Sequence, residues 1–390
     1  MNFNPSCQKS KNCANSELPA FVKGDVPECP ALHYFAVKAL SCFAGFSHEE
    51  AQIIAEYAQF LGDNATSAGL PVEEITEELN EKKLYFNSET GILVPIIPTS
   101  MKTWYNETEI ETKIPWFGAS AGDKRTYDTI TDILRPFHFY PPSSPSNPGD
   151  PPVVRFNPSN LHNRLTEIEK EAQKAEGHPG TDLLMKIGVY IHILADTMLH
   201  ERFCAERTWQ NLKRLITALD ENGNRITYTP YKDYGFSTLE KYPCGIQQIG
   251  KVVHDSYVDY EYIFPRGVHE LADKLDYSGH LTPVNSHRYT DACEIILRFL
   301  TNCISDSSFD ETNWKQTLKP KLRSVFATGN GTFNELKKTW KKEFNYAYEY
   351  DAGAVYKRLM EGDSSKTTDP ERLKEFYDYT LLLYNIKQEI

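Results

Sequence analysis

The run IHILADTMLH, residues 191–200, constrains the fold of this chain more than any other segment. Its titratable members His192, Asp196 and His200 are spaced four apart, whereas Ile191, Ile193, Leu194, Ala195, Met198 and Leu199 are apolar. Four residues make little more than one helical turn, so a helix places the three side chains on one face in a rising row. A helix this apolar is buried over most of its surface, and the row then points into the protein. Two imidazoles with a carboxylate between them suit zinc or a similar divalent ion, and the carboxylate can bridge two ions. The competing reading is a set of hydrogen-bonded core residues, since a single buried His on an apolar helix is more often that than a ligand. A chance H-x3-D-x3-H is uncommon with 11 His in 390 residues. Buried polar side chains also tend to be paired or functional, which favours the metal reading.

A chain of 390 residues can hold two average domains or one large one, with a substantial core. The formal net charge of −12 argues against nucleic acid or anionic membranes as partners, because no polybasic stretch supplies phosphate contacts. A local cationic pocket built by metal ions remains compatible with that charge. The eight cysteines are scattered without a C-x-x-C, and they read as free thiols in a reducing compartment. The N-terminal stretch has no apolar signal-peptide core, and no apolar run approaches the roughly 18 residues of a membrane span. A cytoplasmic protein is therefore expected.

Residues 1–26 read as a flexible polar lead. A helix is expected over 30–44, stopped by Gly45, and a second from Ser47 to Gly62, where Ser47 and Glu50 fit a capping box. Residues 84–140 mix β-prone runs (GILVPII, KIPWF) with turns, and the Pro-rich stretch 141–158 is a surface loop. Helices follow over 159–176, from Thr181 as N-cap to Phe203, and over 206–219. The Asn-Gly of the next segment signals a turn with a possible hairpin. Further helices are expected at 244–264, 286–303, 332–345 and 370–388, the last with Asp369 as N-cap and Pro370 at its first position. The fold class is mainly α, a multi-helix globular bundle with short β and loop insertions. Residues 27–305 form an all-α metal-binding unit, and 306–390 a helical C-terminal extension.

A metal site needs ligands from other helices facing the same core. His33 lies in the first helix among apolar neighbours, Asp63 closes the second, His138 stands between Phe137 and Phe139, and His254 lies in the apolar stretch GKVVHDSYVDY. Each also has a bland reading. His33 serves equally as a core or cap histidine, Asp63 as a turn residue, His138 as a stacking partner and His254-Asp255 as a surface pair. The remaining six histidines sit in polar or loop contexts and are set aside.

The segments Ala31-Leu32-His33-Tyr34, Ala44-Gly45-Phe46, Ala58 to Asn64, Phe137-His138-Phe139 and Ile191 to Phe203 resemble an uncharacterised, largely bacterial family, a domain of unknown function. That resemblance spans roughly residues 30–300 and is carried by an H-x-x-A-D-T-x-x-H core. The order of His and Asp residues is also distantly similar to the zinc-dependent phospholipase C and S1/P1 nuclease superfamily. Those are all-α enzymes that cut phosphate esters with a zinc cluster. The resemblance implies His33, Asp63, His138, His192, His200 and His254 as ligands and Asp196 as the bridging carboxylate. Val258 stands where that superfamily has a Glu, and the chain starts with Met1 where it has a Trp. One or two ions are therefore expected rather than three.

The expected function is a metal-dependent phosphoester hydrolase using zinc, with manganese or iron as substitutes, on a small phosphoester. A bound ion pair lowers the pKa of a water and neutralises phosphoryl charge. Asp196 bridges, Asp63 orients the attacking water as an alternative to ligation, and Arg202 and Tyr257 contact substrate. Two other readings stay open. One is a non-catalytic binding or assembly protein with a structural metal; the other is an HD-type phosphohydrolase, prompted by His254-Asp255.

Overall fold

The computed structural model describes residues 30–64, 69–88, 91–100, 133, 135–142, 154–175, 179–199, 217–219, 225–227, 285–304, 307–328, 333–362 and 369–390. In chain order, a π-helical turn Ala31–Ala36 leads into α1 (Val37–Ala44), α2 (His48–Asp63), β1 (Gly69–Val72), α3 (Glu77–Glu81), β2 (Phe86–Ser88) and β3 (Gly91–Pro95). Next come α4 (Arg135–Phe137), α5 (Ser159–Lys174), α6 (Thr181–Leu199), β4 (Thr217–Leu219), β5 (Arg225–Thr227) and α7 (Asn285–Asn302). The chain continues with α8 (Glu311–Asn313), a second π-helical turn Trp314–Leu318, α9 (Lys319–Thr328), α10 (Phe333–Phe344), α11 (Ala352–Glu361), α12 (Asp369–Arg372) and α13 (Lys374–Gln388). The fold is mainly α, as expected. No helix among the described residues is long and apolar enough to cross a membrane.

Two compact units result. The larger comprises residues 26–62 and 134–349. In it α7 packs on α1, α5, α6 and α9, and α6 lies against α5 and the first π-helical turn. The smaller unit includes residues 63–133 and 350–389. It holds an antiparallel sheet of order β1-β3-β2 and the helices α11 to α13.

Local chemistry accounts for several boundaries. Gly45 ends α1 at φ 114°, a left-handed conformation that glycine adopts without a Cβ penalty, and its N–H bonds back to the last turn. The capping box at α2 is formed. Ser47 N–H donates to Glu50 Oε2 at 2.8 Å, and Glu50 N–H donates to Ser47 Oγ at 3.2 Å. The helix α10 buries Leu336, Trp340 and Phe344, one residue per turn. The Trp340 ring stacks on Phe35 (centroids 5.9 Å apart) and on Phe344 (5.1 Å). This aromatic packing lies directly behind the first π-helical turn and holds it in place.

Two expectations change among the described residues. The helix expected over 206–219 is replaced at 217–219 by β4, which pairs antiparallel with β5 through Thr217↔Thr227, Ala218↔Ile226 and Leu219↔Arg225. The expected helix therefore does not reach 219: the backbone of Thr217 to Leu219 pairs with a single partner strand, in place of a final helical turn that is prone to fray. The single helix expected over 370–388 is interrupted at Leu373, between α12 and α13. The KIPWF run, the helix expected at 244–264 and the end of the central helix beyond residue 199 lie outside the described residues.

Candidate metal centre

Four of the seven expected ligands meet inside the larger unit. His192 and Asp196 stand one turn apart on α6, His33 projects from the first π-helical turn, and His138 follows α4. All four are 0 % exposed. The π turn has a physical signature in the Val37 N–H, which bonds to Leu32 O five residues back. Such a bulge widens the helix and re-aims its side chains, and it is common at functional sites.

The Asp196 carboxylate is the hub. Its Oδ1 lies 3.1 Å from His33 Nε2, and its Oδ2 lies 2.7 Å from His138 Nδ1 and 3.3 Å from His192 Nε2. The His33 and His192 rings are 4.0 Å apart at their centroids. One donor atom from each of His33, His192 and Asp196 falls within 4.8 Å of the others. His138 reaches the same carboxylate through its second oxygen. An ionised carboxylate only accepts, and with Asp196 in that form the proton in the 2.7 Å contact sits on His138 Nδ1.

The state of His192 follows from its other nitrogen. Nδ1 lies 2.6 Å from the backbone carbonyl of Ala58. A carbonyl oxygen cannot donate, so Nδ1 carries a proton and donates it. Burial, and after it the neighbouring His33, holds this imidazole below its usual pKa. A neutral ring has only one N–H, so Nε2 presents a lone pair toward Asp196 and the shared point. Metal-ligating histidines are typically held in this way, with the outer nitrogen tied to a carbonyl or carboxylate. Two imidazole nitrogens and a carboxylate oxygen match the preference of zinc and similar ions for N and O donors. The residues present therefore fit a divalent metal.

Next to the hub, Thr197 Oγ1 donates to Leu194 O at 2.7 Å and accepts from Asn157 N–H at 3.1 Å. This ties the loop before α5 to α6, the helix that carries His192 and Asp196. Asp63 falls in the smaller unit, where the Tyr350 hydroxyl donates to its Oδ2 at 2.9 Å. The side chain of His200, together with Arg202, His254 and Tyr257, lies outside the described residues. The Ala58 carbonyl escaped the sequence reading, because a main-chain acceptor leaves no trace in residue type.

A model of a protein family matches residues 31–386. The chain belongs to the family of unknown function DUF6765. No curated protein and no solved structure matches it. The DUF6765 match includes the π turn, α6 and every member of the buried cluster, so the centre lies within the family's own region.

Proposed function

We propose that this chain is a metal-dependent phosphoester hydrolase, with one or two divalent ions of the zinc type held by His33, His192 and Asp196. The observation that carries this is the presentation of His192, whose Nδ1 is committed to the Ala58 carbonyl at 2.6 Å while Nε2 faces the other two donors. A bound ion supplies a nucleophilic water near neutral pH and neutralises charge on the phosphoryl oxygens. The protein's part is to hold the donors. Asp196 directs its two oxygens at different histidines, the disposition a bridging carboxylate needs. His138 orients that carboxylate through Nδ1–H, and His192 is kept neutral and in one tautomer. The order of ligands along the chain, similar to the phospholipase C and S1/P1 nuclease superfamily, supports phosphoesters as the substrate class. His200 and His254 complete the set in this scheme, and Arg202 and Tyr257 contact the substrate.

A structural metal centre is the second reading, favoured by the complete burial of all four side chains. Closed coordination by protein ligands is typical of such sites, whereas catalytic ones keep an open position. Metal analysis of protein prepared without chelator separates the possibilities when combined with a screen of phosphomonoesters and phosphodiesters. The expected result is stoichiometric transition metal, turnover of one ester class, and loss of both in Asp196→Asn and His192→Ala. Metal without turnover under zinc, manganese or iron assigns the structural role. Absence of metal from the wild-type protein rejects the centre.

A further inference from the structure

The row on α6 begins one step before its histidines. Gly188 precedes His192 by four residues, as His192 precedes Asp196, so all three share one face of the helix. A Cβ at position 188 would lie 2.3 Å from Ile54 O, 3.1 Å from Ala58 N and 3.1 Å from the Tyr57 Cβ. The first contact is with backbone, which cannot rotate out of the way. Only a hydrogen fits, and α6 therefore lies closer to α2 than any residue with a side chain would allow. Ala55 and Ala58, both fully buried, keep the α2 side equally low.

That close approach places the Ala58 carbonyl within reach of His192 Nδ1, one turn along α6 from Gly188. A carbonyl has two lone pairs, so this oxygen can accept from the imidazole and still serve its own helix. Adding a methyl group at 188 requires the two helices to separate by on the order of 1 Å to reach ordinary van der Waals distance. The 2.6 Å bond would then stretch past hydrogen-bond range. Released from the carbonyl, His192 is free to carry its proton on Nε2 and donate it to Asp196, which blocks the nitrogen that faces the cluster.

We propose that Gly188 is the positioning residue of the metal centre. By seating α6 against α2 it delivers the Ala58 carbonyl to His192 and so selects the tautomer that can ligate. This rests on the metal-binding reading of the centre, but its first consequence, the tautomer, is present without metal.

The test compares wild type, Gly188→Ala and Val189→Ala. Val189 is fully buried on the same helix, and shortening its side chain weakens packing without adding bulk against α2. Nitrogen-15 NMR of imidazoles in chelator-treated protein reads the His192 tautomer, and competition with a chromogenic chelator reads zinc affinity. The expected result is an Nδ1–H tautomer in the wild type and a shift toward Nε2–H in Gly188→Ala. Zinc affinity falls by about 10- to 100-fold in that variant, the usual cost of losing such an outer hydrogen bond. Val189→Ala keeps tautomer and affinity at a comparable loss of Tm. A Gly188→Ala protein with wild-type tautomer and affinity overturns the proposal, as does an equal affinity loss in Val189→Ala. If Gly188→Ala does not fold, the wild-type spectrum still decides, since an Nε2–H resonance for His192 overturns it outright. Wild-type protein that takes up no zinc refutes the metal reading and leaves the tautomer result standing, so the two failures are distinguishable.

Discussion

Burial at the level of single residues sets the chemistry that each titratable group can perform. Asp196 carries its carboxylate at 0 % exposure, a placement that costs several kcal/mol unless partners compensate. Its compensation comes from imidazoles that a metal ion would organise further. The same physics acts in the opposite direction on the thiols. Burial pushes Cys293 and Cys303 far above the ordinary thiol range, and it raises Cys42 as well, with Lys38 opposing part of that shift. Thiolate is the reactive form, so the buried Cys293 and Cys303 should be inert. Native protein treated with iodoacetamide at pH 8 and mapped by mass spectrometry should show Cys293 and Cys303 unmodified, with full labelling only after denaturation. Rapid native labelling of Cys293 would contradict the packing of α7. Residue types made the centre partly legible, because His192 and Asp196 are four apart on one helix. That His33 would meet Asp196 at 3.1 Å depends on contacts between distant segments.

Among the elements, the helices with short-range signals are the ones the sequence announced. The reciprocal bonds of Ser47 and Glu50 satisfy two N–H groups that the start of α2 would otherwise leave without partners. Ser47→Ala should therefore lower stability by about 1 kcal/mol, while Ser47→Gly should cost only a few tenths. The midpoint of urea denaturation measures both, and an unchanged midpoint in Ser47→Ala would show that the box is not formed in solution. Gly45 and the GILVP strand were equally readable, since turn residues and β-prone runs act over a few positions. The π turn at Ala31–Ala36 was not. Its Tyr34 and Phe35 pack against Phe333, Trp340 and Tyr348, which lie far along the chain and leave no mark on the local pattern. The expected helix ending at 219 failed for a related reason. Thr217 to Leu219 take their hydrogen bonds from a partner strand, and helical periodicity does not register a partner.

For the whole molecule, metal binding at this cluster would be linked to stability. An ion held by His33 together with His192 and Asp196, on two segments far apart in the chain, would bind the folded chain in preference to the unfolded one and stabilise it by RT ln(1 + [L]/Kd). At free zinc about 100 times the Kd the gain is about 2.7 kcal/mol. Chelator treatment should lower the Tm and zinc should restore it in the wild type. Neither should shift the Tm of Asp196→Asn. A wild-type Tm indifferent to chelator and to added zinc would sink the linkage.

The sequence by itself determined the mainly helical class, the caps at Gly45 and Ser47, and the row of His192 and Asp196 on one helical face. These depend on spacing and local hydrogen bonding, which residue order encodes directly. Only the tertiary structure decided which groups share a point in space. It joined His33 and His138 to Asp196, placed Asp63 beside Tyr350, and brought the Ala58 carbonyl to His192. The distance between packed helices is set by contacts such as that of Gly188 with Ile54, and those arise only when both elements are in place.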